Sequence, residues 1–164
     1  MEPISFAEAK HEHLRALADI LNYYIEHTTV SFHTRLVTEA DMEQKIFFEH
    51  PAFRSFLIKK GDGIIGYCAV SPWKKQEAYR HTGEINIYLV PERTAKGIGS
   101  LAIAYLVDYA KENAINNLIA GLCGENYPSK RLFEKNGFVQ CAHFKSVGRK
   151  FGRVLDTIYM QKVL

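Results

Sequence analysis

The chain has 164 residues, of which 47% are hydrophobic, so it has the size and apolar content of one domain with a full core. Lysine and arginine together number 21 against 18 aspartates and glutamates, and the net charge of +3 is spread along the sequence. A charge this mild argues against nucleic acid as a partner, and the longest apolar run, residues 101–107, is too short to span a membrane.

The earliest elements are predicted from periodicity and turn residues. Apolar residues at steps of three and four predict a first helix over residues 11–26. A short second helix is predicted at residues 38–49, because Thr38 and Asp41 form a pair like a capping box. The glycine turn at residues 61–63 joins two apolar runs and predicts an antiparallel hairpin.

The middle of the chain alternates strands with helices. Residues 84–90 are predicted as a buried strand, and residues 118–122 as the next one. Between them an amphipathic helix is expected, with an inner face made of Ile103, Leu106, Val107 and Ala110. Pro128 and Gly137 mark the beginning and the end of a short last helix.

The chain is predicted to close with two apolar strands at residues 138–144 and 154–160. A polar loop containing Gly148, Arg149, Lys150 and Gly152 is expected between them. No linker, repeat or low-complexity segment interrupts the order of elements, so residues 1–164 are predicted to form one α/β domain.

Cysteine and histidine usage indicates a compartment and argues against a metal. Cys68, Cys123 and Cys141 lack C-x-x-C spacing and lie in apolar stretches, so we interpret them as core residues in a reducing compartment. The N-terminal residues show no signal-peptide pattern, and a cytoplasmic location is predicted. The seven histidines lack metal-ligand spacing, so no metal site is predicted.

A glycine-rich turn at Gly97 and Gly99 links a strand to a helix and is typical of phosphate binding. Residues 97–102 alone fit the dinucleotide fingerprint G-x-G-x-x-A, which would indicate an oxidoreductase using a nicotinamide or flavin cofactor. That fingerprint normally opens the first βαβ unit, whereas an antiparallel hairpin comes first here. Glu125 has about the right spacing for the ribose-binding acid, but it does not end a strand.

The order strand, proline, basic turn with G-x-G, helix, strand, then Asn126 and KNGF at 135–138, resembles the GNAT superfamily of acetyl-CoA-dependent N-acetyltransferases. YYIEHTTVSF at 23–32, SPWK at 71–74 and GRKFGRVLD at 148–156 are similar to its phosphinothricin acetyltransferase branch. The resemblance implies the GNAT fold, with a mixed, mostly antiparallel sheet flanked by helices on both faces. It also implies acetyl-CoA as cosubstrate, a small-molecule amine substrate and a homodimer.

The resemblance further implies a set of cofactor contacts along a strand edge and the glycine turn. The implied residues are Ile87, Tyr88, Leu89, Thr94, Ala95, Lys96, Gly97, Ile98, Gly99, Ser100, Asn126 and Ser129. The Leu89 amide would receive the thioester oxygen as charge develops on it. Thr94 stands where the family usually has arginine or glutamine, so the backbone rather than a side chain is expected to supply the anion contacts there.

The resemblance implies that Glu84 is the general base, because a protonated amine cannot attack a thioester. Phe133 stands where many GNAT enzymes have the tyrosine that protonates the leaving thiolate, so water or Tyr127 is left as the donor. This departure and the one at Thr94 leave open a non-catalytic acyl-CoA sensor as the alternative function.

Aromatic and cationic residues are the candidates for binding a small amino acid through its carboxylate. They are Phe32, Arg35, Trp73, Lys74, Tyr79 and Arg80, each of which has an ordinary alternative as a core or surface residue. Phe151 stands where herbicide-detoxifying members carry histidine, and KFGR at 150–153 resembles relatives that acetylate methionine sulfoximine. The implied substrates are therefore amino acids of the phosphinothricin or methionine sulfoximine and sulfone type.

Overall fold

A computed structural model describes residues 2–164 as four helices around a seven-stranded sheet of order β1-β2-β3-β4-β5-β7-β6. The strands are β1 (Ile4–Glu8), β2 (Arg54–Lys60), β3 (Gly63–Pro72), β4 (Thr82–Leu89), β5 (Asn117–Cys123), β6 (Val139–Lys150) and β7 (Arg153–Val163). The helices are α1 (Leu14–His27), α2 (Glu39–Ile46), α3 (Ile98–Glu112) and α4 (Tyr127–Lys135). Neighbouring strands are antiparallel except for β4 and β5, which are parallel.

Two hydrophobic clusters cover the two faces of the sheet. On one face, the four residues predicted for the inner side of α3 are all buried, and they pack with residues such as Leu118 and Phe138. On the other face, α1 and α2 bury Leu17, Leu21 and Met42 against β2 and β3. The predicted fold class, a mixed and mostly antiparallel sheet with helices on both faces, is confirmed. Within the described residues, no helix is both long and apolar enough to cross a membrane.

The helix boundaries follow the local capping signals. Thr38 Oγ1 accepts a hydrogen bond from the Asp41 amide at 3.1 Å, and Asp41 Oδ2 accepts one from the Thr38 amide at 2.9 Å, so the capping box is confirmed. The helix is shorter than predicted, because the backbone is already extended at Phe47. Gly137 has φ +85°, as expected for the residue after the last helix.

The closing hairpin differs from the prediction of a long polar loop. Gly148, Arg149 and Lys150 are the last residues of β6, where they pair with Leu155, Val154 and Arg153. Only Phe151 and Gly152 form the turn, and both have positive φ, as a tight two-residue hairpin requires. Arg149 is exposed, whereas the Lys150 side chain is buried and donates to the Ser31 carbonyl, so the polar composition of this stretch does not indicate a loop.

Two further expectations need correction. The sequence pattern predicts no strand at residues 4–8, yet these residues form β1 at the sheet edge, where only part of each side chain is covered. Cys141 is exposed on β6 rather than in the core, whereas Cys68 and Cys123 are buried as predicted, and all three thiols are free.

Candidate active site

The parallel strands β4 and β5 separate halfway along their length and leave an opening in the sheet. Their pairing extends only from Thr82 to Glu84, after which β5 stays with β7. The Val90 amide donates to the Ile65 carbonyl at 2.9 Å. Because hydrogen bonding alternates along an antiparallel strand, the backbone groups of Leu89 face away from β3 and into this opening.

The same alternation determines which of the residues implied to line the cofactor arm direct their backbone groups into the opening. The backbone groups of Ile87 face the opening together with those of Leu89, whereas Tyr88 directs its own towards β3. The Tyr24 phenol donates to the Leu89 carbonyl at 2.6 Å and so fixes the end of β4. The Leu89 amide remains directed into the opening, where it can donate to a ligand oxygen.

The turn before α3 presents backbone to solvent. Its residues Thr94, Ala95, Lys96 and Gly97 are all exposed. Ala95 and Gly97 have φ values of +57° and +78°. The Thr94 hydroxyl donates to the Pro91 carbonyl at 2.8 Å, so it fixes the turn rather than pointing outwards. This turn is therefore able to contact an anion mainly through its backbone, as expected when arginine or glutamine is missing at position 94.

The beginning of α3 carries free amides. The first helical hydrogen bond runs from the Leu101 amide to the Gly97 carbonyl at 3.3 Å, so the amides of residues 98–100 come before the helical ladder. A Cβ atom at Gly97 would meet no atom within 4 Å, but one at Gly99 would lie 2.7 Å from Leu132 Cδ2. Gly99 therefore also permits the close packing of α3 on α4, and a side chain there would disturb packing as well as an anion site.

The predicted contacts on α4 have structural roles of their own. Asn126 Oδ1 accepts a hydrogen bond from the Ser129 amide at 3.3 Å and caps the helix. Asn136 Nδ2 donates to Ser100 Oγ at 3.0 Å, which links the end of α4 to the first turn of α3. Ser100 lies on α3, and Asn126 and Ser129 lie at the beginning of α4. The two helices that carry these residues are packed together.

A cavity of about 260 Å³ lies between β3, β4 and the α1–α2 side of the molecule. Its polar lining comes from Ser71, Glu84, Asn86 and Tyr88 on the strands, and from His33 and Lys45 on the helical side. Ser71 Oγ donates to the Glu84 carbonyl at 3.3 Å. Of the residues predicted to be catalytic, Glu84 thus lies in a cavity next to the opening that Leu89 faces.

The environment of Glu84 suits a proton acceptor. Burial raises the pKa of the Glu84 carboxyl above its ordinary value. Burial also raises the pKa of the Tyr159 phenol, and the charge of Glu84 raises it further. The pKa of Tyr88 is raised to about 12, mainly by burial, so its phenol stays protonated. A carboxylate with a raised pKa is a stronger base than an exposed one.

Four of the predicted substrate residues lie on the loop between β3 and β4. The Trp73 and Tyr79 rings meet edge to face at 5.2 Å, and Lys74 Nζ lies 5.1 Å from the centre of the Trp73 ring. Arg80 is exposed two residues before β4 begins. These four residues lie close to the cavity, because the loop that carries them begins beside the pair formed by Ser71 on β3 and Glu84 on β4.

The other two candidates, Phe32 and Arg35, lie on the loop between α1 and α2. The Phe32 ring packs near Gly148 on β6 and is 39% exposed. Arg35 Nη1 lies 3.4 Å from Asp41 Oδ2, so the charge of Arg35 is partly neutralised by an ion pair within the chain. None of the six predicted substrate residues lines the 260 Å³ cavity itself. Their roles therefore stay predictions.

Two cavity residues, His33 and Lys45, were missed by the sequence reasoning. Lys45 lies on α2 at a position that resembles a solvated helix face, and nothing local distinguishes it from the other lysines. His33 follows Phe32, so the family resemblance pointed to the correct loop but not to this side chain. Tyr159 was missed for the same reason, since only the strand order brings β7 close to Glu84.

The residue at position 133, where the resemblance implies a general acid, has no proton to donate. The Phe133 ring is 5% exposed and meets the Phe138 ring edge to face at 5.0 Å, inside the core. Tyr127, the first residue of α4, is 60% exposed. Water and Tyr127 both remain as donors to a leaving thiolate.

Glu125 is engaged in a side-chain cluster. Arg153 donates to both of its carboxylate oxygens, and Thr29 Oγ1 donates to Oε1. These hydrogen bonds lower the pKa of Glu125. Because its oxygens are occupied, Glu125 does not fit the free ribose-binding acid that a dinucleotide fingerprint needs.

Comparison with known families agrees with this geometry. The model of a family described as an acetyltransferase (GNAT) domain matches residues 7–159. A phosphinothricin N-acetyltransferase of Streptomyces coelicolor is 30% identical over 158 residues, covering 93% of this chain and 92% of the relative. An L-methionine sulfoximine/L-methionine sulfone acetyltransferase of Salmonella typhimurium is 30% identical over 151 residues, covering 89% of this chain and 86% of the relative.

A solved structure is similar over almost the whole chain. A GNAT superfamily phosphinothricin acetyltransferase from Sinorhizobium meliloti, in complex with acetyl-CoA, superposes with a TM-score of 0.92. It is 27% identical, and the match covers 98% of this chain and 88% of that one.

Proposed function

Because the chain belongs to the GNAT acetyltransferase family, we propose that it transfers acetyl from acetyl-CoA directly to the amino group of a small amino-acid-like substrate. It is an N-acetyltransferase with acetyl-CoA as its cosubstrate. The finer proposal is that the amine belongs to an amino acid of the phosphinothricin or methionine sulfoximine and sulfone type. The names of the relatives and the small cavity support this choice.

One observation carries the mechanism: the Leu89 amide faces the opening between β4 and β5, and the partly buried Glu84 carboxyl lies in the adjoining cavity. Glu84 removes the proton of the incoming ammonium through water, which frees the nitrogen lone pair for attack. The Leu89 amide then donates to the carbonyl oxygen as negative charge develops there. The amides of residues 98–100 hold the pyrophosphate of acetyl-CoA at the N-terminus of α3. Water or Tyr127 protonates the CoA thiolate as it leaves.

We also propose that the enzyme is a homodimer that acts in the cytoplasm. Six apolar side chains on the closing hairpin are more than half exposed, namely Val139, Phe144, Val147, Phe151, Val154 and Val163. Several exposed apolar residues on one hairpin are typical of a protein interface. A sedimentation experiment measures the oligomeric state, and a monomer at micromolar concentration would contradict the dimer.

Two measurements test the proposed function. Acetyl-CoA should raise the melting temperature while NAD(P) leaves it unchanged, because only a ligand that binds the folded state stabilises it. Release of free thiol should then depend on an added amine, screened over amino acids and their sulfoximine, sulfone and phosphinic analogues. Binding of acetyl-CoA without thiol release from any amine would favour the acyl-CoA sensor, and stabilisation by NAD(P) would favour the oxidoreductase.

A further inference from the structure

The cavity that contains Glu84 is bounded on its helical side by an unpaired cation. Lys45 lies on α2 and is only partly exposed. Among the residues that the structure describes, no carboxylate forms an ion pair with Lys45. Asp41, whose charge acts on Lys45, is already bound by the amide of Thr38 and by Arg35. Burial lowers the pKa of Lys45, and the charge of Asp41 offsets only part of this effect, so the lost hydration of the ammonium is not fully replaced within the chain.

Positive charge is concentrated around this side of the cavity. The pKa of His33 is lowered first by burial and then by the charges of Lys45, Lys150 and Arg35, and the charge of Asp41 raises it by a smaller amount. Lys150 Nζ donates to the Ser31 carbonyl at 2.7 Å, and Arg35 faces Asp41 at 3.4 Å. Lys45 is therefore the member of this group that both lines the cavity and keeps its charge available.

The cavity is lined by side chains of both signs of charge. Glu84 lies on the strand floor next to the opening, and Lys45 lies on the helix that covers the floor. A substrate that carries both an ammonium and an anionic group would be oriented by these two residues. The volume of about 260 Å³ is below the usual range for drug-sized ligands, so it fits a molecule the size of an amino acid.

We infer that the Lys45 ammonium binds an anionic group of the amine substrate and thereby selects anionic over neutral amines. The inference rests on the proposed function. The anionic group has two possible sources, the α-carboxylate or an acidic side-chain group. Both would form a charge-assisted hydrogen bond with Lys45, and this contact would place the amine at Glu84.

The test compares substrates in pairs with the wild type and with Lys45→Met, which retains an unbranched apolar chain without the charge. The first pair is methionine sulfone and its carboxamide, which differ in the α-carboxylate. The second pair is phosphinothricin and methionine sulfone, which differ in the anionic side-chain group. Lys45→Arg is the rescue variant, and Lys111→Met, at an exposed position near the end of α3, is the matched control.

We expect Lys45→Met to lower kcat/KM for the anionic member of one pair by about tenfold or more, mainly through KM, because a hydrogen bond to a charged group is lost. The member of that pair that lacks the anionic group in question should change less than about twofold, and Lys45→Arg should recover most of the loss. The pair that loses its preference identifies the anionic group. Unchanged preferences in both pairs, with acetyl-CoA affinity and melting temperature intact, would overturn the inference.

Failure of the proposed function gives a different result. In that case wild-type protein binds acetyl-CoA but releases no thiol with any amine. Calorimetric titration of the same three compounds into wild type and Lys45→Met then decides the inference without turnover. Weaker binding of an anionic compound to Lys45→Met would support it, and equal binding or no binding of any compound to the wild type would overturn it.

Discussion

Replacing Glu84 by glutamine tests the proposed base most directly, because the amide keeps the shape of the side chain but cannot accept the proton. General bases contribute about 10²–10⁴-fold, which corresponds to about 2.7–5.4 kcal/mol of barrier. The kcat of Glu84→Gln should fall within that range at pH 7. Acetyl-CoA affinity should change little, because Glu84 lies in the cavity and not in the turn before α3.

The pH profile gives the sharper result. Only the ionised carboxylate accepts a proton, so activity should fall as the pH falls through the pKa of Glu84. Burial raises this pKa, so the acidic limb of kcat should lie at a higher pH than for an exposed glutamate. The limb should flatten in Glu84→Gln, and part of the activity should return at high pH, where the amine is already neutral.

Stability separates the catalytic effect from unfolding. A carboxyl whose pKa is raised in the folded state binds more protons there than in the unfolded chain, so it lowers stability as the pH rises through this window. Glu84→Gln removes that cost, and its melting temperature at pH 7 should be equal to or higher than that of the wild type. Glu112→Gln, exposed at the end of α3, is the control and should keep full activity. A Glu84→Gln enzyme with wild-type kcat and an unchanged acidic limb would refute the assignment.

Three further predictions concern the cofactor side of the site. Gly97→Ala should raise the calorimetric Kd for acetyl-CoA about tenfold or more. Gly152→Ala, with equally open surroundings and a similar positive φ, should leave this Kd unchanged. Equal Kd values for Gly97→Ala and the wild type would exclude anion binding by the backbone of the turn before α3. Tyr127→Phe should keep kcat within a few-fold because water reaches this exposed position, and a tenfold loss, about 1.4 kcal/mol, would identify Tyr127 as the donor. Asn126→Ala should lower the free energy of unfolding by about 0.5–2 kcal/mol, since the cap on the Ser129 amide is lost. Asn126→Ser should restore stability, and if acetyl-CoA affinity stays low in that variant, Asn126 contacts the cofactor as well.

Much of the local structure could be predicted because it depends on residues that are close in sequence. The capping box of Thr38 and Asp41 and the positive φ at Gly97 and Gly137 are set by short-range sterics and hydrogen bonds. The inner face of α3 follows from its helical periodicity. The family resemblance added the expected fold and directed attention to Glu84, although the site roles stay predictions.

The errors lie where local pattern and long-range pairing disagree. β1 is held by β2, which is far away in sequence, so the weak pattern of residues 4–8 did not indicate a strand. At the closing hairpin, polar residues suggested a loop, but pairing of residues 148–150 with β7 extends β6 up to a two-residue turn. In both cases the partner strand decides the conformation, because backbone hydrogen bonds across the sheet outweigh local preference.

The sequence by itself determined the glycine turn, the caps and the strands and helices other than β1, since each depends on a few neighbouring residues. The tertiary structure alone decided which side chains share a cavity. Lys45 on α2 and His33 on the preceding loop meet Glu84 on β4 only because α1 and α2 pack over β3 and β4. The charge environment of the site depends on burial and on distances between remote residues, and neither exists until the chain has folded.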